Sequence, residues 1–115
     1  MTDWPSKILA HALESLETHG WTQETLWDNN GCMCSMGAIA NAVSLLRGEI
    51  SAEDLDGVSL VSKARDRLAD QIVMAGHDSG VGWSLPVVTH WNDHPSRTFE
   101  EVREMFQAAI GASDD

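Results

Sequence analysis

Apolar residues recur at helical spacing close to the amino terminus. Asp3 can cap a helix there, Pro5 suits its first turn, and Gly20 lies just beyond its end. The apolar positions between these residues share one helix face: Ile8, Leu9, Ala12, Leu13 and Leu16. Because charged residues occupy the opposite face, the pattern predicts an amphipathic surface helix.

The stretch from Ser35 to Arg47, which is followed by Gly48, is apolar around most of its circumference. Only Asn41, Ser44 and Arg47 form a narrow polar strip. A helix that is apolar nearly all round is typical of a buried position. This stretch is therefore predicted to be the buried central helix.

A third helix is predicted from about Ser59 to Ala75, with Gly76 as its terminator. Its apolar face consists of Val61, Ala64, Leu68 and Ile72. Charged residues that include Arg67 are expected on its exposed face.

The last helix has the strongest start signal in the sequence. Thr98 is followed three positions later by Glu101, which is a capping box. The apolar residues that follow keep helical spacing: Phe99, Val102, Phe106, Ala109 and Ile110. Gly111 ends the helix, and residues 112–115 are expected to fray.

The connecting segments carry turn and loop signals. Residues 21–27 are predicted to form a short helical turn, and residues 28–31 a tight turn, because Asn and Gly tolerate positive φ. Residues 77–83 are glycine-rich and aperiodic. Residues 87–90 have an extended alternative, but Pro86 and the lack of a second convincing strand argue against a sheet.

The fold class follows from these elements. A chain of 115 residues fits one domain with its own core, here residues 1–115. We predict an all-α domain, a compact bundle of four main helices around the buried helix from Ser35 to Arg47. A long glycine-containing loop is predicted before the last helix.

The charge narrows the classes of function. Seven Lys and Arg against eighteen Asp and Glu give a net charge of −11, which repels phosphate backbones and anionic lipid headgroups. Direct binding to nucleic acid or to a membrane is therefore not expected. A basic patch on a protein partner suits this charge, and mimicry of a nucleic-acid surface is an alternative. An acidic surface that only aids solubility is the plainer interpretation.

The cysteines and the amino terminus bear on localisation. Cys32 and Cys34 are the only two cysteines, and one intervening residue is too few for an unstrained disulfide. No signal peptide or membrane-spanning run is apparent. We expect a cytoplasmic protein, and homo-oligomerisation stays open.

Four short stretches resemble an uncharacterised family of small actinobacterial and actinophage proteins. They are residues 20–23, 34–39 and 91–93, and Arg97-Thr98 together with Glu101-Val102 and Phe106. The last two stretches, Trp-Asn-Asp followed by Arg-Thr and Glu-Val, are the most specific. The family has no established activity, so the resemblance implies a helical fold and an actinobacterial or phage origin, without a chemistry. Cys32, His90 and His94 lie outside the pattern.

One hypothesis of catalysis joins Cys34 to His90. A helix N-terminus stabilises a thiolate and a histidine can deprotonate the thiol, with Asn92 or Asp93 downstream, in the chain order of papain-like hydrolases. Those enzymes need a sheet, whereas this chain supplies barely one strand. A small buried hydrophobe explains Cys34 equally well.

A metal hypothesis adds Cys32 and His94 to Cys34 and His90. The His-x₃-His spacing suits zinc, but Cys-x-Cys is tighter than the usual spacing of zinc ligands. We therefore expect no metal and no cofactor.

The residues before the last helix have two interpretations. In the structural one, Asn92 and Asp93 bond neighbouring backbone amides, and Arg97 pairs with Asp93 or Glu101. In the functional one, the same side chains converge on a ligand or partner. The structural interpretation is favoured because these residues adjoin a capping box.

Tryptophan is the dominant aromatic residue. Trp21 and Trp91 lie in the stretches that carry the resemblance and are expected in the core. Trp27 and Trp83 lie in loops, where they either cover the core or anchor a binding surface.

The absence of any strong chemical motif favours a non-enzymatic accessory or regulatory protein that binds another protein, either a host protein or a second copy. The candidate binding residues are Trp27, Trp83, Asn92, Asp93 and Arg97. The alternatives are a cysteine hydrolase, with Cys34, His90 and Asp93 as candidates, and an acidic nucleic-acid mimic.

Overall fold

A computed structural model describes residues 3–50, 57–77 and 84–112. These ranges contain five α-helices: α1 Trp4–His19, α2 Ser35–Leu46, α3 Gly57–Met74, α4 Ser84–Asn92 and α5 Phe99–Gly111. Within them, β pairing is limited to two isolated bridges. The prediction of an all-helical fold is confirmed.

The helices close around one apolar core. The second helix, α2, packs against α1, α3 and α4, and α1 also packs against α3 and α5. Ile8 of α1 and Ile39 of α2 are fully buried. The outer edge of α2 carries Leu45, whose relative exposure is 63%. The predicted central helix is thus covered on several sides and open along one edge.

A buried arginine ties three helices together, so the expectation that Arg67 is exposed is wrong. Arg67 follows the buried Ala64 by three positions and therefore lies on the same inner face of α3. Its guanidinium donates to both carboxylate oxygens of Asp3 at 3.0 Å and to the hydroxyl of Ser6. The Ser6 hydroxyl donates in turn to the carbonyl oxygen of Ile110 at 2.7 Å. The hydrogen bond from Arg67 holds the pKa of the Asp3 carboxyl below its usual value.

The helix α4 corrects the prediction of a long loop before the last helix. Pro86 is the third residue of α4, where its missing N–H costs no helical hydrogen bond. Val87 and Val88 resemble a strand in sequence but are buried against the other helices. Tertiary burial overrides their β propensity. Of the glycine-rich segment, residues 78–83 lie outside the described residues, as do residues 113–115 of the tail that is expected to fray.

The segment between α1 and α2 is not the helical turn that was predicted. Its backbone pairs with Met33 instead. The N–H of Thr22 donates to the carbonyl of Met33 at 2.9 Å, and the N–H of Met33 donates to the carbonyl of Gly20 at 2.9 Å. The N–H of Cys34 closes the loop by donating to the carbonyl of Leu26 at 3.1 Å. The loop is therefore held at both ends.

A search of the described helices for length and hydropathy gives no candidate membrane-spanning segment.

Candidate functional site

The side chain of Asn92 is the centre of a buried hydrogen-bond network. Its Oδ1 accepts from Nε1 of Trp21 at 2.8 Å, from the N–H of Ser35 at 3.0 Å and from the Ser35 hydroxyl at 2.7 Å. Its Nδ2 donates to the carbonyl of Thr22 at 3.3 Å and to Oδ1 of Asp93 at 2.9 Å. Every polar atom of this amide therefore has a protein partner.

Helix ends bring these groups together. Asn92 is the last residue of α4, and Ser35 is the first residue of α2. The first N–H groups of a helix have no intrahelical acceptor, so Asn92 supplies one from another helix. The network therefore fixes the start of α2 against the end of α4.

The loop before α2 is clamped to the residues that follow α4. The amide of Gln23 donates to the carbonyls of Asn92 at 3.0 Å and His94 at 2.8 Å. The carboxylate of Asp93 accepts from the N–H of Glu24 at 2.8 Å. Glu24 has φ of 69°, a conformation that is unfavourable for a residue with a side chain. Asn92 and Asp93 therefore bond a distant loop, and the prediction that they bond neighbouring backbone amides is wrong.

Arg97 packs against Trp91, the residue that precedes Asn92 in the chain. Its guanidinium lies 4.7 Å from the centre of the Trp91 ring, and its Nε donates to the carbonyl of Trp91 at 2.9 Å. Its terminal nitrogen pairs with Glu101 at 3.2 Å, one of the two predicted partners. The Arg97 side chain is only 7% exposed. The capping box of Thr98 and Glu101 is present as predicted.

All four short stretches on which the sequence resemblance rests meet at or beside Asn92. Trp21 and Gln23 belong to the first stretch, Ser35 to the second, Asn92 to the third, and Arg97 begins the fourth. Sequence reasoning selected Asn92 and Arg97 but missed Ser35 and Gln23. Their membership of these stretches was the one signal that could have found them.

One family profile covers nearly the whole chain. The profile of DUF6197, a family of unknown function, matches residues 1–112. The chain belongs to DUF6197. No curated protein and no solved structure matches it. The matched region contains the whole Asn92 network, and the family's description assigns no activity to it.

In this DUF6197 chain, Cys34 and His90 are not brought together. Cys34 caps α2, with its Sγ accepting from the N–H of Gly37 at 3.4 Å. His90 is exposed and lies on the side of α4 opposite the buried Asn92. Burial raises the pKa of the Cys34 thiol, and the negative charge of Asp93 acts in the same direction. Burial thus favours the protonated form of the thiol, and the thiol is not next to its proposed base.

The four candidate metal ligands are also dispersed. Among the described residues, no group of three or more His, Cys, Asp and Glu side chains is placed to hold a metal ion. The Nδ1 of His94 accepts from the N–H of Ser96 at 3.2 Å. Cys32 lies beside Asp28, and its pKa is raised by desolvation and by that negative charge.

A small cleft of about 160 Å³ opens beside Cys34. Its lining includes Glu24, Leu26, Met36 and Asp93. On the loop at its edge, Leu26 is 48% exposed and the adjacent Trp27 is 50% exposed. Trp27 thus lies on the surface, as the binding interpretation requires.

The other candidate binding residues differ in access to solvent. Asn92 is buried and fully hydrogen-bonded, Asp93 is partly accessible, and the side chain of Arg97 is only 7% exposed. Trp83 lies outside the described residues. The assignment of these residues to binding stays a prediction.

Proposed function

We propose that this chain is a non-enzymatic accessory or regulatory protein that acts by binding another protein. The observation that carries the proposal is the exposure of two adjacent large apolar side chains, Leu26 at 48% and Trp27 at 50%. Tryptophan is among the residues that contribute most to binding at protein interfaces. We call this pair the Leu26–Trp27 surface.

The backbone beneath the Leu26–Trp27 surface is preorganised. The carbonyl of Leu26 accepts from Cys34, and the N–H of Asp28 donates to the carbonyl of Cys32 at 3.0 Å. The loop also lies directly on α2, since a Cβ added at Gly37 would be 2.4 Å from the Leu26 oxygen. A surface that is already ordered loses little conformational entropy when it binds, which favours affinity.

Charge indicates the kind of partner. A net charge of −11 favours a partner with a basic surface, because complementary charge accelerates association and disfavours acidic partners. The resemblance to actinobacterial and phage proteins supports a partner in an actinobacterial cytoplasm. A host protein is the first expectation there, and a second copy would have to overcome like-charge repulsion.

The cysteine-hydrolase alternative gains no support from the geometry. Cys34 and His90 lie apart, and burial raises the pKa of the thiol that would have to act as nucleophile. Nothing in the arrangement of the described acidic residues favours the nucleic-acid mimic over a protein-binding role.

The test is affinity capture from an actinobacterial lysate with the full chain immobilised. The variant Trp27→Ser removes the exposed aromatic, and Leu45→Ser is the matched control, because Leu45 is exposed on α2 away from this loop. We expect Leu45→Ser to capture as much partner as the unmodified chain. We expect the amount captured by Trp27→Ser to be lower by about tenfold or more. Equal capture by both variants would contradict a role for the Leu26–Trp27 surface. An unrelated acidic protein, immobilised in the same way, is the background control. If the chain captures no protein beyond those that this control captures, the proposed function itself is contradicted.

A further inference from the structure

A second surface feature is a groove of about 490 Å³ between the end of α3 and one side of α5. Met74 and Ala75 line it from the α3 side, and Met105 and Ala108 from α5. Met74 is 77% exposed although it is a large apolar residue. The volume is within the range of sites that hold a ligand or the side chains of a partner. The groove and the Leu26–Trp27 surface share no residue.

One residue that lines the groove has a buried hydrogen-bond donor without a partner among the described residues. Trp91 lines the groove and is only 2% exposed, and its Nε1 has no acceptor among the described residues. The corresponding atom of Trp21, by contrast, is bonded to Asn92. A buried donor left unpaired costs about 1–3 kcal/mol, and such atoms are rare in native structures. Among the residues that the structure describes, this position therefore lacks one acceptor.

The charges around the groove favour a cation. Arg97 lines it, but its charge is offset by Glu101 at 3.2 Å. The carboxylate of Glu104 also lines the groove and has no ion-pair partner among the described residues. Together with the net charge of −11, this leaves the groove negative. An arriving cation would be attracted and a second copy of the chain repelled.

We propose that this groove binds a basic amphipathic segment of the partner protein. An apolar side chain of that segment packs between Met74 and Met105, and a lysine or arginine pairs with Glu104. Because Nε1 of Trp91 is buried in the free chain, the side chains that cover it move when the segment binds, and a carbonyl oxygen of the segment then accepts from it. The inference rests on the proposed role in protein binding and names the chemistry of the partner. Methionine-lined grooves suit such segments because methionine side chains adapt their shape.

The experiment titrates the full ¹⁵N-labelled chain with a synthetic amphipathic helix of leucine and lysine. We expect saturable binding in which the indole N–H resonance of Trp91 moves downfield as it gains an acceptor. The indole resonance of Trp21, which is already hydrogen-bonded, should move little. A peptide of leucine and glutamate with the same pattern should not bind.

Three variants locate the site. Ala108→Phe fills the groove from an exposed helix position and should weaken binding of the peptide about tenfold or more. Glu104→Lys should weaken it about threefold or more and reduce its salt dependence. Glu14→Lys makes the same change in net charge at an exposed position of α1 and should change the affinity by less than about twofold.

Several outcomes would overturn the inference. Equal effects of Glu14→Lys and Glu104→Lys would mean that overall charge alone attracts the peptide. Binding of the glutamate peptide would show that the groove does not require a lysine or arginine in its ligand. A wild-type dimer in ultracentrifugation that Ala108→Phe converts to monomer would identify a second copy as the occupant.

The inference and the proposed function can fail separately. If lysate capture persists in Ala108→Phe and depends on Trp27, the groove proposal fails and the protein-binding role stands. If the peptide binds in the groove but the lysate yields no captured protein, the proposed protein-binding role fails. The preference of the groove for a basic amphipathic peptide then still stands.

Discussion

The side-chain oxygen of Asn92 accepts hydrogen bonds from both the backbone N–H and the hydroxyl of Ser35, which lies 57 positions earlier in the chain. The same oxygen accepts from the indole N–H of Trp21. One acceptor thus joins the loop after α1, the start of α2 and the end of α4. Buried polar networks of this kind specify one arrangement of the core, since any other arrangement leaves donors unpaired.

Replacing Asn92 by alanine is expected to lower the free energy of unfolding by about 3 kcal/mol. The substitution leaves the N–H of Ser35 and the indole of Trp21 without their acceptor, and each unpaired buried donor costs about 1–3 kcal/mol. Urea denaturation measures the loss. Asn29→Ala, at an exposed loop position, is the matched control and should change stability by less than about 0.5 kcal/mol. A loss below about 1 kcal/mol for Asn92→Ala would show that the network contributes little.

Gly37→Ala should destabilise the fold by about 2 kcal/mol or more through a steric clash. A Cβ at this position would lie 2.4 Å from the carbonyl oxygen of Leu26, which belongs to the backbone and cannot rotate away. The Leu26–Trp27 surface should move as a result. Thermal denaturation gives the stability, and the indole N–H resonance of Trp27 in the ¹⁵N-labelled chain reports the movement.

Gly48→Ala is the control for that prediction, because an added Cβ there meets no atom within 4 Å. It should be neutral or stabilise by about 0.5 kcal/mol, since alanine restricts the unfolded chain. If both variants are neutral, the close approach of the loop to α2 is not rigid.

Local signals predicted much of the helical structure, and their failures have physical causes. The caps at Asp3 and Thr98 depend on residues three positions apart, so the sequence displays them directly. The helix α4 was missed because Val87 and Val88 favour strands in isolation, and their burial depends on contacts with other helices.

The site was predictable only in part for the same reason. Asn92 stood out beside a capping box, but its partners lie as far away as 71 positions, at Trp21. No local period or spacing connects residues at that separation. The resemblance of the four stretches to one family linked them without indicating which atoms meet.

Arg97→Ala is expected to cost about 2 kcal/mol, more than the ~1 kcal/mol expected for Thr98→Ala. An exposed ion pair alone would contribute less than the Thr98 cap, which would give the reverse order. The Arg97 side chain is instead 7% exposed, covers the Trp91 ring and donates to the Trp91 carbonyl. Chemical denaturation of both variants tests the order.

Arg97→Lys provides the matched control for charge. Lysine keeps the positive charge but loses the planar group that covers the ring, so it should recover less than half of the loss. Full recovery by lysine would mean that the ion pair with Glu101, and not the contact with Trp91, is what stabilises this position.

The last prediction concerns the reactivity of Cys34. Burial raises the pKa of this thiol above its ordinary value of 9.0, so the protonated form is stabilised by folding. That stabilisation is present below pH 9.0 and is lost as the pH rises through the higher pKa of the folded state. In a Cys32→Ala background, a thiol reagent should therefore label Cys34 more slowly than it labels a free cysteine near pH 7, and denaturant should restore the full rate. Rapid labelling of the folded chain below about pH 7 would show an activated thiolate, and the cysteine-hydrolase alternative would then replace the protein-binding proposal.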